Sequence, residues 1–115
     1  MPIFEQGDIV RVPFPYTDRD TRQRRPALVV SNRSVGEDGA LLWVVMITSA
    51  ENRAWPGDVQ IRDHVDAGLP APSVVRTVKI ATIEVQRAET IGKVAAPTRI
   101  AVMQRIGAII AALET

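Results

Sequence analysis

The chain contains no cysteine and only one histidine among its 115 residues. The first absence excludes disulfides, thiolate metal sites and a cysteine nucleophile. The second removes a two-histidine acid–base pair and a histidine-rich metal centre. His64 itself sits in RDHVD, the polar, turn-like setting of a surface residue. No G-x-x-x-x-G-K-[ST], G-x-G-x-x-G or H-E-x-x-H is present, nor the G-x-S-x-G of an elbow-type serine hydrolase. The carboxylate pairs Asp18/Asp20 and Asp63/Asp66 are expected to cap turns or balance nearby arginines rather than to hold a metal, and no cofactor is expected. No apolar run approaches the roughly 18 residues of a membrane span. The N-terminal MPIFEQGDIV lacks the basic start and long apolar stretch of a signal peptide, so a cytoplasmic location away from membranes is expected. The net charge is only +1, too small for bulk binding to a polyanion.

What charge there is lies unevenly. Residues 11–33 carry six arginines, among them Arg19, Arg22, Arg24 and Arg25, against Asp18 and Asp20, a local +4. The rest of the chain holds eight basic and eleven acidic groups, a net −3. A solvated arginine-rich loop has this composition, and so does one localised site for an anionic partner on a near-neutral body.

The hydrophobic pattern predicts several short strands followed by one helix, in a single domain over residues 1–115. Asp8–Phe14 (DIVRVPF) alternates, and Pro13 and Pro15 limit its pairing as at an edge strand. Pro26–Ser31 and ALLWVVMIT, ending at Thr48, are continuous apolar runs suited to central strands buried on both faces. GDVQI (57–61) reads as a short strand, and Thr90–Ala95 as a last one. In Ser73–Ile83 (SVVRTVKIATI) the alternation requires a bulge or turn to re-aim part of the strand. From Thr98, the expected N-cap, Ile100, Met103, Ile106, Ile110 and Leu113 recur at helical spacing. The fold class is therefore mainly β with a C-terminal helix, most economically a small, strongly bent sheet or barrel capped by that helix.

Elimination leaves arginine and hydroxyl as the chemistry-bearing groups. Arg25 stands immediately before the strand that begins at Pro26, and Thr48 ends the ALLWVVMIT strand. If those strands are neighbours, both residues lie at one end of the sheet. A planar, permanently charged guanidinium beside a hydroxyl donor is a minimal site for stabilising phosphoryl transfer. It suffices where the substrate brings its own nucleophile, as RNA does with its 2′-hydroxyl.

GDIVRVPFPYTDRDTRQRRPALVVSN resembles the opening of the MazF/PemK family of toxin endoribonucleases, with a G-D-[IV] strand entry, a variable polar loop and an R-P-[AV]-[LV]-V-[LIV] strand. The similarity continues through VMITSAENRAWPGDVQI and AGLPAPSVVRTVKIATI, and so covers nearly the whole chain. The resemblance implies a small SH3-like β-barrel of the MazF/CcdB type, a homodimer, and metal-independent cleavage of single-stranded RNA to 2′,3′-cyclic phosphate and 5′-hydroxyl ends. It implies a small acidic MazE-like antitoxin as partner. It places the catalytic roles on Arg25 and Thr48, with RNA contacts expected from Arg19, Arg22, Arg24 and Ser49. Arg53 and Trp55 are expected to stack on bases, and Arg76 and Lys79, which stand where the family often has an acidic or amide residue, are also expected to contact the RNA. The alternative on the same barrel is a non-catalytic protein: a gyrase poison like the CcdB relatives, or an inactive RNA-binding paralogue. Those poisons use a tryptophan near the C-terminus, whereas this chain has none after Trp55.

Overall fold

A computed structural model describes residues 3–13 and 24–111. Its elements, in chain order, are β1 (Asp8–Val12), β2 (Arg25–Val29), β3 (Leu41–Ser49), β4 (Val59–Ile61), β5 (Ser73–Glu84), β6 (Glu89–Lys93) and α1 (Ala96–Ile110). The strands form one antiparallel sheet in the order β4-β5-β3-β2-β1-β6. The sheet is mainly β, curled into a half-barrel, with the helix laid against the β4–β5 side.

All the strands expected from the sequence are present, but β1 is not at an edge. It pairs with both β2 and β6, and the edges are β4 and β6. Pro13 follows the last residue of β1, so its missing N–H interrupts no ladder bond. β3 is central as expected, with Val44 and Val45 fully buried on opposite faces. Near its start, however, Trp43 is 49% exposed, so the strand is not covered on both sides throughout.

The two faces of the sheet bury two separate clusters. One joins Ile9, Leu28, Val45, Ile47 and Val75 to Ile61 and to Val102 and Ile106 of the helix. The other gathers Phe4, Val10, Val12, Ala27, Val29, Leu42, Val44, Ala81 and Ile83. β5 serves both, and it carries the bulge that its sequence requires. Val45 pairs with Ile80 and Met46 with Arg76, which leaves Thr77, Val78 and Lys79 unmatched on β3. Three extra residues are an odd number, so side-chain alternation is inverted across the slip. Val75 therefore faces one cluster, while Ala81 and Ile83 face the other.

The helix begins earlier than its pattern suggests. Ala95 is the N-cap, Pro97 lies in the first turn, and Thr98 is already inside. A proline there needs no N–H partner and has a φ suited to helix entry. The buried positions are Val102 and Ile106, with Met103 packed against the same cluster. Ile100 and Ile110, expected inward, are exposed, and Leu113 lies outside the described residues. Isoleucine, valine, methionine and alanine surround this helix on most sides, so hydrophobic spacing alone cannot fix its rotation.

The two edges of the sheet are bridged by the segment after β4. A Cβ on Gly92 of β6 would overlap the carbonyl oxygen of Ala67, and one on Gly68 would overlap that of Ile91. Bare backbone thus meets bare backbone, and the curl of the sheet depends on it. Among the described residues, no helix is long and apolar enough to cross a membrane.

Candidate active site

β2 and β3 pair through Ala27↔Met46, Leu28↔Val45 and Val29↔Val44. Two residues further along this register, Arg25 falls opposite Thr48. Alternation places Arg25 on the face of Ala27 and Val29, and Thr48 on the face of Val44 and Met46, which is the same face. Both sit where the second cluster ends and Met46 is only half buried. Each is held by a ladder on its far side, Arg25 opposite Val12 of β1 and Thr48 opposite Val74 of β5. The expectation that they share one end of the sheet follows from this pairing.

The Thr48 hydroxyl has a defined neighbour that sequence reading missed. Asn52 Nδ2 donates to Thr48 Oγ1 at 2.7 Å. A hydroxyl has one proton to give and two lone pairs to offer. With Asn52 on a lone pair, the proton remains for an incoming acceptor oxygen. Ser49 is occupied in turning the chain: its Oγ accepts the Glu51 N–H at 3.2 Å and its carbonyl accepts the Asn52 N–H at 3.1 Å.

The loop between β3 and β4 carries Arg53 and Trp55, and it docks on the bulge of β5. Arg76 donates from Nε to Asp58 Oδ1 at 3.2 Å and from Nη2 to Asp58 Oδ2 at 3.0 Å and to the Arg53 carbonyl at 2.8 Å. Its guanidinium carbon lies 4.6 Å from the centre of the Trp55 ring, and Lys79 Nζ lies 5.0 Å from it. Thr77 Oγ1 donates to the Gly57 carbonyl at 2.8 Å. Gly57 has φ +90°, the left-handed region that glycine enters without strain.

A sequence profile described as the PemK-like, MazF-like toxin of type II toxin–antitoxin systems matches residues 5–110. The chain belongs to this toxin family. Solved structures of similar fold include a MazE–MazF complex from Deinococcus radiodurans, at 23% identity and a TM-score of 0.75, covering 96% of this chain and 97% of that one. The Mycobacterium tuberculosis toxin MazF-mt6 aligns at 24% identity and a TM-score of 0.65, over 88% of this chain and 93% of its own. An endoribonuclease in complex with its cognate antitoxin, from Mycobacterial species, aligns at 18% identity and a TM-score of 0.70, over 97% and 99%. No curated protein matches the sequence.

Seen as a PemK/MazF-like toxin, the chain separates its candidate residues into three groups. Arg25, Thr48 and Ser49 come together at the sheet end, beside the loop bearing exposed Arg53 and half-buried Trp55, with Lys79 at the ring. Arg24 and Arg76 do not present free cationic ends to that opening. Arg24 donates from Nη2 to the carbonyls of Arg11 at 2.8 Å and Arg87 at 2.6 Å, tying the start of β2 to β1 and to the turn after β5. Arg76, for which an RNA contact was expected, is 6% exposed and committed to Asp58, and it supports the loop from beneath. Arg19 and Arg22, the remaining loop cations, lie outside the described residues. Asn52 and Asp58 were not legible as site residues, because ENR and PGD look like ordinary turn chemistry. Among the described residues, no three or more histidine or acidic side chains gather as for a metal ion.

Proposed function

We propose that this toxin is a metal-independent endoribonuclease that cuts single-stranded RNA, and that Arg25 and Thr48 carry the reaction. The observation that supports this most is the β2–β3 register, which brings the arginine and the hydroxyl opposite each other on one face at an open end of the sheet. In the proposed step, the 2′-oxygen of the substrate attacks the adjacent phosphorus and forms a P–O bond. The bond to the 5′-oxygen breaks, leaving a 2′,3′-cyclic phosphate and a 5′-hydroxyl. Thr48, oriented by Asn52, donates to a non-bridging oxygen. Arg25 balances the charge that builds on the phosphorane and orients the departing 5′-oxygen, which takes up a proton. A guanidinium holds its proton too tightly to act as a base, so the proton lost by the 2′-hydroxyl passes to solvent or to another acceptor. The nucleophile belongs to the substrate, so no metal-bound water is required.

Arg25→Ala is expected to abolish cleavage while leaving the melting temperature close to that of the parent. Cleavage is expected to persist in chelator and to stop when the cut position carries 2′-deoxyribose. Full activity of Arg25→Ala, or activity lost to chelation and restored by Mg²⁺, would overturn this reading. The partners proposed with it are a second copy of the chain and a small acidic antitoxin, the latter in keeping with the MazE–MazF and toxin–antitoxin complexes among similar folds.

A further inference from the structure

Asp58 and Arg76 are charged, Arg76 buried and Asp58 partly so, and both lie outside the chemistry assigned to Arg25 and Thr48. Their side chains are 10% and 7% exposed. A buried ion pair is weak evidence for stability, since desolvation offsets most of its attraction, and its best-attested use is to fix one arrangement among several. Here the arrangement is that of the β3–β4 loop. Asp58 Oδ2 accepts the backbone N–H of Trp55 at 3.0 Å as well as Arg76, and the Asp58 N–H donates to the Trp55 carbonyl at 3.1 Å. Arg76 adds the Arg53 carbonyl and lies over the Trp55 ring. One ion pair therefore sets the backbone at residues 53, 55 and 58 and the plane of an aromatic ring. At its other end the same loop is tied to Thr48 through Asn52. Both ties originate on strands, and three of the loop's contacts come from Arg76, Thr77 and Lys79, at and within the β5 bulge. Bulges recur beside functional sites, where they re-aim side chains.

We propose that Asp58 and Arg76 are positioning residues for the RNA: they hold Trp55 at a fixed place relative to Thr48, so that a base flanking the cut phosphate stacks on it. This rests on the nuclease reading above. Unpaired bases bind aromatic planes irrespective of sequence. A platform supported by two charged groups loses little freedom when a base arrives.

The test uses the full chain with Trp43→Phe, which leaves Trp55 as its one tryptophan. Removing one member of the pair would strand a buried charge, so the pair is replaced together, Asp58→Asn with Arg76→Met, and folding is checked by thermal melting. Binding is read by Trp55 fluorescence with a mixed-sequence single-stranded DNA oligonucleotide, which lacks the 2′-hydroxyl. Cleavage of a single-stranded RNA is read as separate kcat and KM. The expected result is a folded double variant in which the oligonucleotide no longer quenches Trp55. Its KM should rise about 5- to 150-fold, the loss of roughly one stacked base. Trp55→Ala should raise KM to a similar degree, Trp55→Phe should restore most of it, and combining the changes should add little. If KM and quenching are unaltered, or if only kcat and melting fall together, the positioning role is wrong and the nuclease reading stands. If the parent cuts no RNA yet the double variant still abolishes quenching, the stacking surface stands and the nuclease reading falls.

Discussion

Arg24 and Arg25 are adjacent, yet one closes backbone contacts and the other faces the site. Pro26 made the second recognisable, because a proline that opens a buried strand fixes which residue stands at its threshold. The partner of Arg76 was not recognisable. Strand alternation reports a face but not the carboxylate waiting there, and Asp58 lies 18 residues upstream in a stretch that reads as a turn. Asn52 was missed for a similar reason, since its bond to Thr48 spans four residues around a loop rather than a helix. Its role can be tested directly. Asn52→Ala frees the Thr48 hydroxyl to rotate, and a net hydrogen bond is worth about 1 kcal/mol. Cleavage should slow by roughly 5-fold in kcat, with KM little changed and melting nearly unaltered. An Asn52→Ala enzyme with the parent's kcat would remove this residue from the site.

At the scale of elements, strand identity was legible because runs such as PALVVS and LLWVVMIT are too apolar and β-branched for other uses. Position within the sheet was less so: prolines flanking β1 suggested an edge that pairing with β6 removes. The helix was found, but not its rotation, because it buries only a narrow strip through Val102 and Ile106. Contacts between bare backbones leave no hydrophobic signature at all. The meeting of Gly92 with Ala67 is the clearest case, and Gly92→Ala forces a methyl group into a carbonyl oxygen. The expected loss is about 2–3 kcal/mol, the upper part of the overpacking range, which for a chain of this size lowers the melting temperature by roughly 10 °C. Gly107→Ala is the control, because its new methyl meets nothing within 4 Å. Equal melting of the two variants would mean that the segment after β4 can withdraw from β6 at little cost.

For the molecule as a whole, the surface retains more apolar side chains than a small domain readily leaves in water. Trp43 and Ile80 lie diagonally on neighbouring strands of one face, and Ile109 and Ile110 are 60% and 66% exposed near the end of the helix. A homodimer is the proposed resolution, and light scattering should return about twice the 12.6 kDa chain mass. The excess of arginine in residues 11–33 should make an acidic antitoxin bind less tightly as salt rises. A strict monomer, or antitoxin affinity indifferent to salt, would count against this assembly. The slip in β5 also bears on how chains of this architecture can differ in length. Removing the three unmatched residues would give a regular ladder, with Met46 opposite Arg76, Val45 opposite Ile80 and each paired side chain on its present face. Ala81, Ile83 and Val75 would then keep their places in their clusters, and what would be lost is Thr77 and Lys79, which meet the β3–β4 loop. The slip therefore serves the loop rather than the core: a chain lacking residues 77–79 should still fold but lose RNA affinity, and a deletion that prevents folding would show that the core needs the slip.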